Sequence, residues 1–218
     1  MKVSCVMPTR DRRPFVARAI AYFLRQDHPD RELVIADDGD DPVSDLARGS
    51  PLIRYVRLER RLVLGEKRNV VNDLTEGEIL LHWDDDDWSA PNRISRQLAL
   101  LQATGADLCG AGDQIYYRPS TDRAWRYRYP QRDCWVAGNT LCYLRSRWEK
   151  HPFEPVPKGE DNRFVRAGRR PVEVAGVFHI GILHPGNTSP KRTYGSHWSP
   201  EPAATVHRHL GADLALYR

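Results

Sequence analysis

The sequence predicts an α/β fold with a mostly parallel central sheet and a smaller antiparallel sheet formed by the later half of the chain. Three observations carry this. Short apolar runs alternate with helical patterns up to about residue 110, in the order strand, helix, strand, strand, helix, strand. Three of those strands end in polar or acidic residues, and open parallel sheets place their ligands beyond the carboxyl ends of their strands. After about residue 110, aromatic and basic residues alternate with the period of two expected of antiparallel strands.

Taken in order, Val3 to Met7 reads as a short buried strand and Pro8-Thr9-Arg10-Asp11 as the turn after it. The helical pattern that follows sets Phe15, Ala19, Tyr22 and Phe23 on one face. Arg31 to Asp37 is a second strand, ending in Asp37-Asp38-Gly39-Asp40-Asp41. A third, Ile53 to Leu58, leads into Gly65-Glu66-Lys67-Arg68-Asn69 and a helix to about Leu74; Gly77-Glu78 then turns the chain into a fourth strand, Ile79 to Trp83. Pro91 opens a helix to about Thr104, at a first-turn position where its missing N–H costs little. Asp107 to Cys109 is a further strand, and Gln114 to Arg118 pairs with Ala124 to Tyr129 across the turn Pro119-Ser120-Thr121-Asp122. Gly138-Asn139-Thr140 precedes a strand from Leu141 to Leu144 and a short helix near Ser146 to Lys150. A proline-rich loop from Pro152 to Lys158 ends at Gly159-Glu160-Asp161, which opens another helix. Val172 to Leu183 supplies one or two strands around Gly176, followed by the turn His184-Pro185-Gly186-Asn187. The tail carries Pro200 and Pro202 and little periodicity apart from a helix around Ala203 to Leu210.

With 218 residues, 40% hydrophobic and 28% charged, the chain has the composition of an ordinary globular domain. No run approaches the roughly 20 apolar residues of a membrane span, and the start goes directly into a strand pattern, so a cytoplasmic protein is expected. Cys5, Cys109, Cys134 and Cys142 show no C-x-x-C spacing and sit among apolar neighbours, which reads as buried reduced thiols rather than a zinc site. The net charge of +4 is modest, but arginines crowd residues 10–13, 54–68, 118–132 and 163–170, and aromatics interleave them from Tyr116 to Trp135. Such a surface suits a polyanion: a nucleotide diphosphate, nucleic acid or anionic lipid headgroups.

The most unusual stretch is Trp83-Asp84-Asp85-Asp86-Asp87-Trp88, where an apolar strand breaks into four consecutive carboxylates. Four adjacent acids repel one another, and a hard divalent cation is the simplest compensation, since Mg²⁺ and Mn²⁺ take carboxylate oxygens and fill the remaining positions with water and phosphates. A solvated acidic loop is the other reading. The meeting of Thr9, Asp37/Asp38 and Asp84 to Asp87 at three strand ends favours the site.

In this order and spacing the chain resembles the family 2 glycosyltransferases of the GT-A fold over roughly residues 1–190. The resemblance rests on Val6-Met7-Pro8-Thr9-Arg10, Ile35-Ala36-Asp37-Asp38-Gly39, Gly65-Glu66-Lys67-Arg68-Asn69, the acidic run and Gly159-Glu160-Asp161. It implies one GT-A domain over 1–190, with a nucleotide-binding half to about 110, an acceptor half from 111, and a C-terminal extension over 191–218. It implies further that Asp84 and Asp86 form a D-x-D element, Asp86 binding Mn²⁺ or Mg²⁺ directly and Asp87 sharing or supporting that role. Pro8, Thr9 and Arg10 line the nucleotide pocket, Asp37 or Asp38 accepts from a uracil ring, and Lys67 and Arg68 reach the diphosphate, the arginine with a planar fork suited to phosphate. Asp161 becomes the catalytic base, and Glu160 either holds the acceptor or orients Asp161. His184 becomes a third metal ligand or a diphosphate contact with Lys191 and Arg192 behind it, whereas His179, inside an apolar strand, reads as a core residue. One base carboxylate and no second nucleophile point to direct displacement with inversion. Asp84 and Asp85 would also face the nucleotide-sugar, yet Asp85, pointing away in the D-x-D register, is expected to tolerate alanine.

Processive members of that family carry membrane spans and a Q-x-x-R-W element after the base. Neither is visible in this sequence, which points to single additions. The implied donor is a UDP-sugar; the acceptor stays open between saccharide, lipid-linked glycan, peptide and nucleic acid, with peripheral membrane contact also open. Two other classes compete: a sugar-nucleotide pyrophosphorylase, whose Gly-rich opening loop is replaced here by Pro8-Thr9-Arg10, and a non-catalytic nucleotide- or nucleic-acid-binding module with structural carboxylates.

Overall fold

The computed structural model describes residues 1–129 and 135–217. Cys134 lies outside them; Cys5, Cys109 and Cys142 are buried free thiols.

Two sheets organise the chain. The strands β1 (Val3–Thr9), β2 (Arg31–Asp37), β3 (Ile53–Arg57) and β4 (Ile79–His82) are joined through helices α1 (Arg13–Leu24) and α2 (Leu64–Asp73). They run parallel in the order β4-β1-β2-β3. Helices cover both faces of such a sheet, which is why Cys5 to Met7, Leu33 to Ala36 and Ile79 to Leu81 are continuous apolar runs with no polar alternation. After β5 (Trp88–Ser89), helix α3 (Arg93–Thr104) leads to β6 (Leu108–Gly110), and the hairpin β7 (Asp113–Arg118) and β8 (Arg123–Arg128) follows. Strand β9 (Cys142–Leu144) returns to the first sheet between β4 and β6, antiparallel to both. Helices α4 (Arg145–Lys150) and α5 (Glu160–Arg166) then precede β10 (Val172–Glu173), β11 (His179–Ile182), β12 (Trp198–Glu201) and α6 (Ala203–Leu210). The first sheet has seven strands in the order β10-β6-β9-β4-β1-β2-β3, and the second, mostly antiparallel, has five in the order β12-β8-β7-β11-β5.

Several local expectations shift. Pro91 precedes α3 by two residues instead of opening it; Asn92 is the N-cap. The two-residue β5 and the proline-containing β12 have no sequence period to announce them. Pro200 is tolerated in β12 because that strand lies at the edge of its sheet, pairing only with β8. Part of the segment beyond residue 190 therefore enters the second sheet, and Asp213 accepts from Trp88 Nε1 at 2.7 Å and Arg25 Nη1 at 2.7 Å, tying the tail to the first half.

Two buried devices fix the ends of the strands. Arg93, fully buried, donates to the carbonyls of His82 (2.7 Å) and Asn139 (3.0 Å) and to Ser89 Oγ (2.9 Å), which holds the last residue of β4 against the turn at 138–140. Gly65, in the first turn of α2, lies under the loop 152–158: a Cβ there would meet the Glu154 carbonyl at 1.7 Å. That close approach brings the start of α2 beside the start of α5. No helix among the described residues is long and apolar enough to cross a membrane.

Candidate active site

The carboxyl ends of β1 and β4 open onto a cavity of about 930 Å³. Pro8, Thr9, Arg10, Lys67, Arg68 and Asp84 to Asp87 line one side, and Gly138, Glu160 and Asp161 another. These are the residues expected to meet, with three exceptions: Asp37, Asp38 and His184 do not line the cavity. Asp37 and Asp38 lie behind the cavity wall. Asp37 accepts from Gly39 N (2.8 Å), Val43 N (3.1 Å) and Tyr55 OH (3.1 Å), a set of bonds that closes the turn after β2 and leaves it no face toward a base. Asp38 pairs with Lys67 Nζ and accepts from Leu62 N at 2.8 Å. Lys67 Nζ also donates to the Thr9 carbonyl at 3.0 Å and Arg10 Nε lies 3.5 Å from Asp38, so Asp38 reaches the cavity through these two cations.

Strand β4 ends at His82, so the acidic run sits in a turn and the alternation of a strand does not govern it. This corrects the reading of Asp85. It does not point away: it accepts from Thr9 Oγ1 at 2.6 Å and Arg12 Nη1 at 2.9 Å and is 4% exposed. Asp86 Oδ2 accepts from Arg12 Nη1 (2.6 Å), His184 Nε2 (3.0 Å) and Asn187 Nδ2 (3.2 Å). Asp87 accepts from Ile182 N (2.8 Å) and Asn139 Nδ2 (2.7 Å), with His179 Nε2 3.5 Å away. Asp84 is the least buried of the four, with Arg68 Nη2 at 3.6 Å.

Arg12 is the residue the sequence reading missed. Its guanidinium bridges Asp85 and Asp86 and also donates to the Gly186 carbonyl (2.6 Å) and Thr188 Oγ1 (3.0 Å), so one side chain ties the acidic turn to the loop after β11. Its place in the turn between β1 and α1, where ligands gather, was the available signal.

Electrostatics divide the four acids. Burial pushes Asp84, Asp85 and Asp87 up, Asp85 to about 6 and Asp87 well above the usual range, with the charge of Asp86 adding to each. Burial acts on Asp86 too, but the hydrogen bond from His184 and the charge of Arg12 outweigh it and hold its carboxyl low. Asp84, Asp86 and Asp87 each present one oxygen within 4.8 Å of the others. An all-oxygen set short of positive charge fits a hard divalent ion. Asp87 accepts one hydrogen bond on each oxygen, whereas all three donors to Asp86 meet its Oδ2, so Asp84 and the second oxygen of Asp86 are the least engaged of the candidate ligand atoms. His184 Nδ1 accepts from Gly186 N at 3.1 Å, so Nε2 carries the hydrogen and donates to Asp86. His184 stacks on Phe15 with centroids 4.3 Å apart, which fixes the ring. His179 is a buried core residue, its Nδ1 3.1 Å from Gln114 Nε2.

Across the cavity, Arg68 donates through Nε to Glu160 Oε1 at 3.0 Å, and both are buried. Burial opposes the Arg68 charge, yet Asp84 and Glu160 more than offset it. Its Nη1 is buried without a hydrogen-bond partner. Glu160 thus orients Arg68. Asp161, in the first turn of α5, lies against Gly138: a Cβ at that glycine would come within 1.9 Å of Asp161 Oδ2. Burial raises the Asp161 carboxyl, Glu160 adds to this, and Arg68 and Lys191 work against it.

Comparison with known proteins agrees with this arrangement. WcaA of Escherichia coli (strain K12), whose name assigns it to colanic acid biosynthesis as a glycosyl transferase, is 35% identical over 105 residues, 46% of this chain and 38% of that one. TarS 1–349 of S. aureus, solved in complex with UDP-GlcNAc, superposes with a TM-score of 0.71 at 19% identity, covering 86% of this chain and 60% of that one. The mannosyltransferase PcManGT from Pyrobaculum calidifontis, solved with GDP-Man and Mn²⁺, gives a TM-score of 0.68 at 17% identity, covering 85% and 58%. The chain therefore spans less than two thirds of each of these relatives. The profile of Glycosyl transferase family 2 matches residues 4–165, most of the chain, and with a GT-A fold around the cavity, the protein belongs to that family.

Proposed function

We propose that this protein transfers a sugar from a nucleoside-diphosphate donor, in the first instance a UDP-sugar, to an acceptor hydroxyl, with a divalent cation and with inversion at the anomeric carbon. One observation carries the reading: a single cavity joins a cluster of three hard carboxylates, a buried arginine with an unpaired N–H, and a carboxyl raised by burial. The nucleotide sugars in TarS and PcManGT, and the Mn²⁺ in the latter, support the donor class and the cation. The name of WcaA supports a glycan product.

Asp84 and Asp86 would hold Mn²⁺ or Mg²⁺, which when bound neutralises charge on the departing diphosphate. Arg68 Nη1 and Lys67 provide fixed positive charge along the same phosphates, and Arg10 lines the pocket beside Pro8 and Thr9. His184 acts through Asp86, holding its second oxygen toward the cavity. Asp161 takes the acceptor hydroxyl's proton as the oxygen forms its bond to the anomeric carbon and the bond from that carbon to the diphosphate breaks. A base with a raised pKa is better matched to that task than an ordinary carboxylate. Displacement in one step from the face opposite the diphosphate inverts the anomeric centre, and NMR of the product linkage showing retention would remove that part of the reading.

The test is UDP release from a panel of UDP-sugars with Mn²⁺. Turnover that disappears in Asp86→Ala and Asp161→Asn supports the transferase. UDP binding without turnover for any sugar or acceptor supports a binding module, and pyrophosphate-dependent formation of UTP supports a pyrophosphorylase.

A further inference from the structure

A second cavity of about 490 Å³ adjoins the first and shares Tyr116, Tyr127, Tyr129 and Lys191 with it. The donor chemistry uses none of its remaining wall, which is formed by the loop 190–197 and Trp198. Tyr127 stands at its centre, 4.7 Å from the Tyr129 ring and 4.8 Å from the Trp198 ring, with interplanar angles of 73° and 63°. The β8–β12 register sets Trp198 opposite Tyr127, so the backbone fixes this pair. Trp198 also lies 5.2 Å from Tyr116, and Lys191 Nζ sits 5.8 Å from the Tyr116 centroid. Tyr194, on the rim, is 71% exposed, the most exposed large hydrophobic side chain among the described residues. Asp161 lines the first cavity together with Lys191 and Tyr129, which puts the shared wall in the same cavity as the proposed base.

We infer that this aromatic trough is the acceptor subsite and that the acceptor is a saccharide of two or more units, with one ring against Tyr127 and Trp198 and the reacting hydroxyl toward Asp161. This rests on the transferase reading above. A pyranose offers an apolar C–H face and an edge of hydroxyls, and the trough offers aromatic rings beside Lys191, Ser196 and His197, the mix of apolar wall and few polar groups that small-ligand sites use. A single-stranded nucleic acid fits less well. Such strands need a groove of about 4–16 nucleotides with cations along it, whereas this volume is that of a small-ligand pocket and its cations are Lys191 and Arg192.

The test uses the full chain with UDP and Mn²⁺ and reads saturation-transfer NMR with cellobiose, lactose, N,N′-diacetylchitobiose and a short oligothymidylate. At least one disaccharide should receive saturation at its ring C–H protons, and its affinity should fall by about fivefold or more in Tyr194→Ala and Trp198→Ala. UDP affinity by calorimetry should stay at the wild-type value in both. Tyr194 is a rim residue whose removal leaves the fold alone, so Tyr194→Ala decides the matter even if Trp198→Ala unfolds. Silence from all three disaccharides, binding by the oligothymidylate alone, or full disaccharide binding in Tyr194→Ala overturns the inference. If UDP itself fails to bind the wild-type protein, the transferase reading is what fails.

Discussion

The donor end and the acceptor end of this molecule are built from different materials. At the donor end nearly every polar group is held by another: Asp86 by three donors, Lys67 by Asp38 and a carbonyl, Arg68 by Glu160. At the acceptor end the walls are tyrosine and tryptophan rings packed edge to face, and the rim is exposed. The first arrangement suits a ligand whose charges and metal demand fixed partners. The second suits a ligand read through its faces, and it leaves room for variation. Losses at the donor end should therefore be large and electrostatic, and losses at the acceptor end smaller.

The most severe test of that contrast is Asp86→Ala, which removes the open metal oxygen together with the anchor for Arg12 and His184. It should lower kcat/KM with Mn²⁺ by about a thousandfold, read as UDP release from the preferred donor; a loss under tenfold would break the comparison. Gly138→Ala comes next. Its Cβ would displace the Asp161 carboxylate, and a shift of about 1 Å in a reacting group costs about a hundredfold in rate, with thermal stability and UDP affinity kept. Asp85→Ala should act mainly on the fold. Leaving the buried Thr9 hydroxyl without its acceptor and removing one of Arg12's two carboxylates costs about 1 to 3 kcal/mol, measurable by urea unfolding, whereas an outward Asp85 would show nothing.

The smallest effect concerns pH. Burial and Glu160 raise the Asp161 carboxyl, so the base stays protonated and inactive at pH values where an ordinary aspartate, at about 3.9, is already ionised. The rising limb of kcat/KM should accordingly lie above that value. Lys191 lowers Asp161, and Lys191→Ala should move the limb further up; a downward move would contradict the arrangement.

The same contrast explains what was legible in the sequence. Strand ends in a parallel sheet converge by topology, so Thr9 and the acidic run could be placed in one crevice before any geometry was known, while Lys67, Arg68 and Asp161 were placed there by the resemblance to the family. Side-chain direction beyond the last strand residue could not. Asp85 was given the alternation of a strand that stops at His82, and Asp37 was given a ligand role although its own turn consumes its oxygens. Arg12 left no local pattern, because its function lies in bridging residues far apart in sequence. Tyr194, His197 and Trp198 fell in an aperiodic tail. Their meaning depends on pairing across an edge strand, which no period records.

The account stands most directly on the separation of metal-assisted donor binding from base catalysis, and calorimetry of UDP on two variants measures it. With Mn²⁺ present, Asp161→Asn should bind UDP as the wild type does while its turnover falls by about 10²- to 10⁴-fold, and Asp86→Ala should lose UDP affinity to the level that the wild type shows in EDTA. Unchanged UDP affinity in Asp86→Ala, or wild-type affinity in EDTA, would contradict the placement of the cation and with it the central claim.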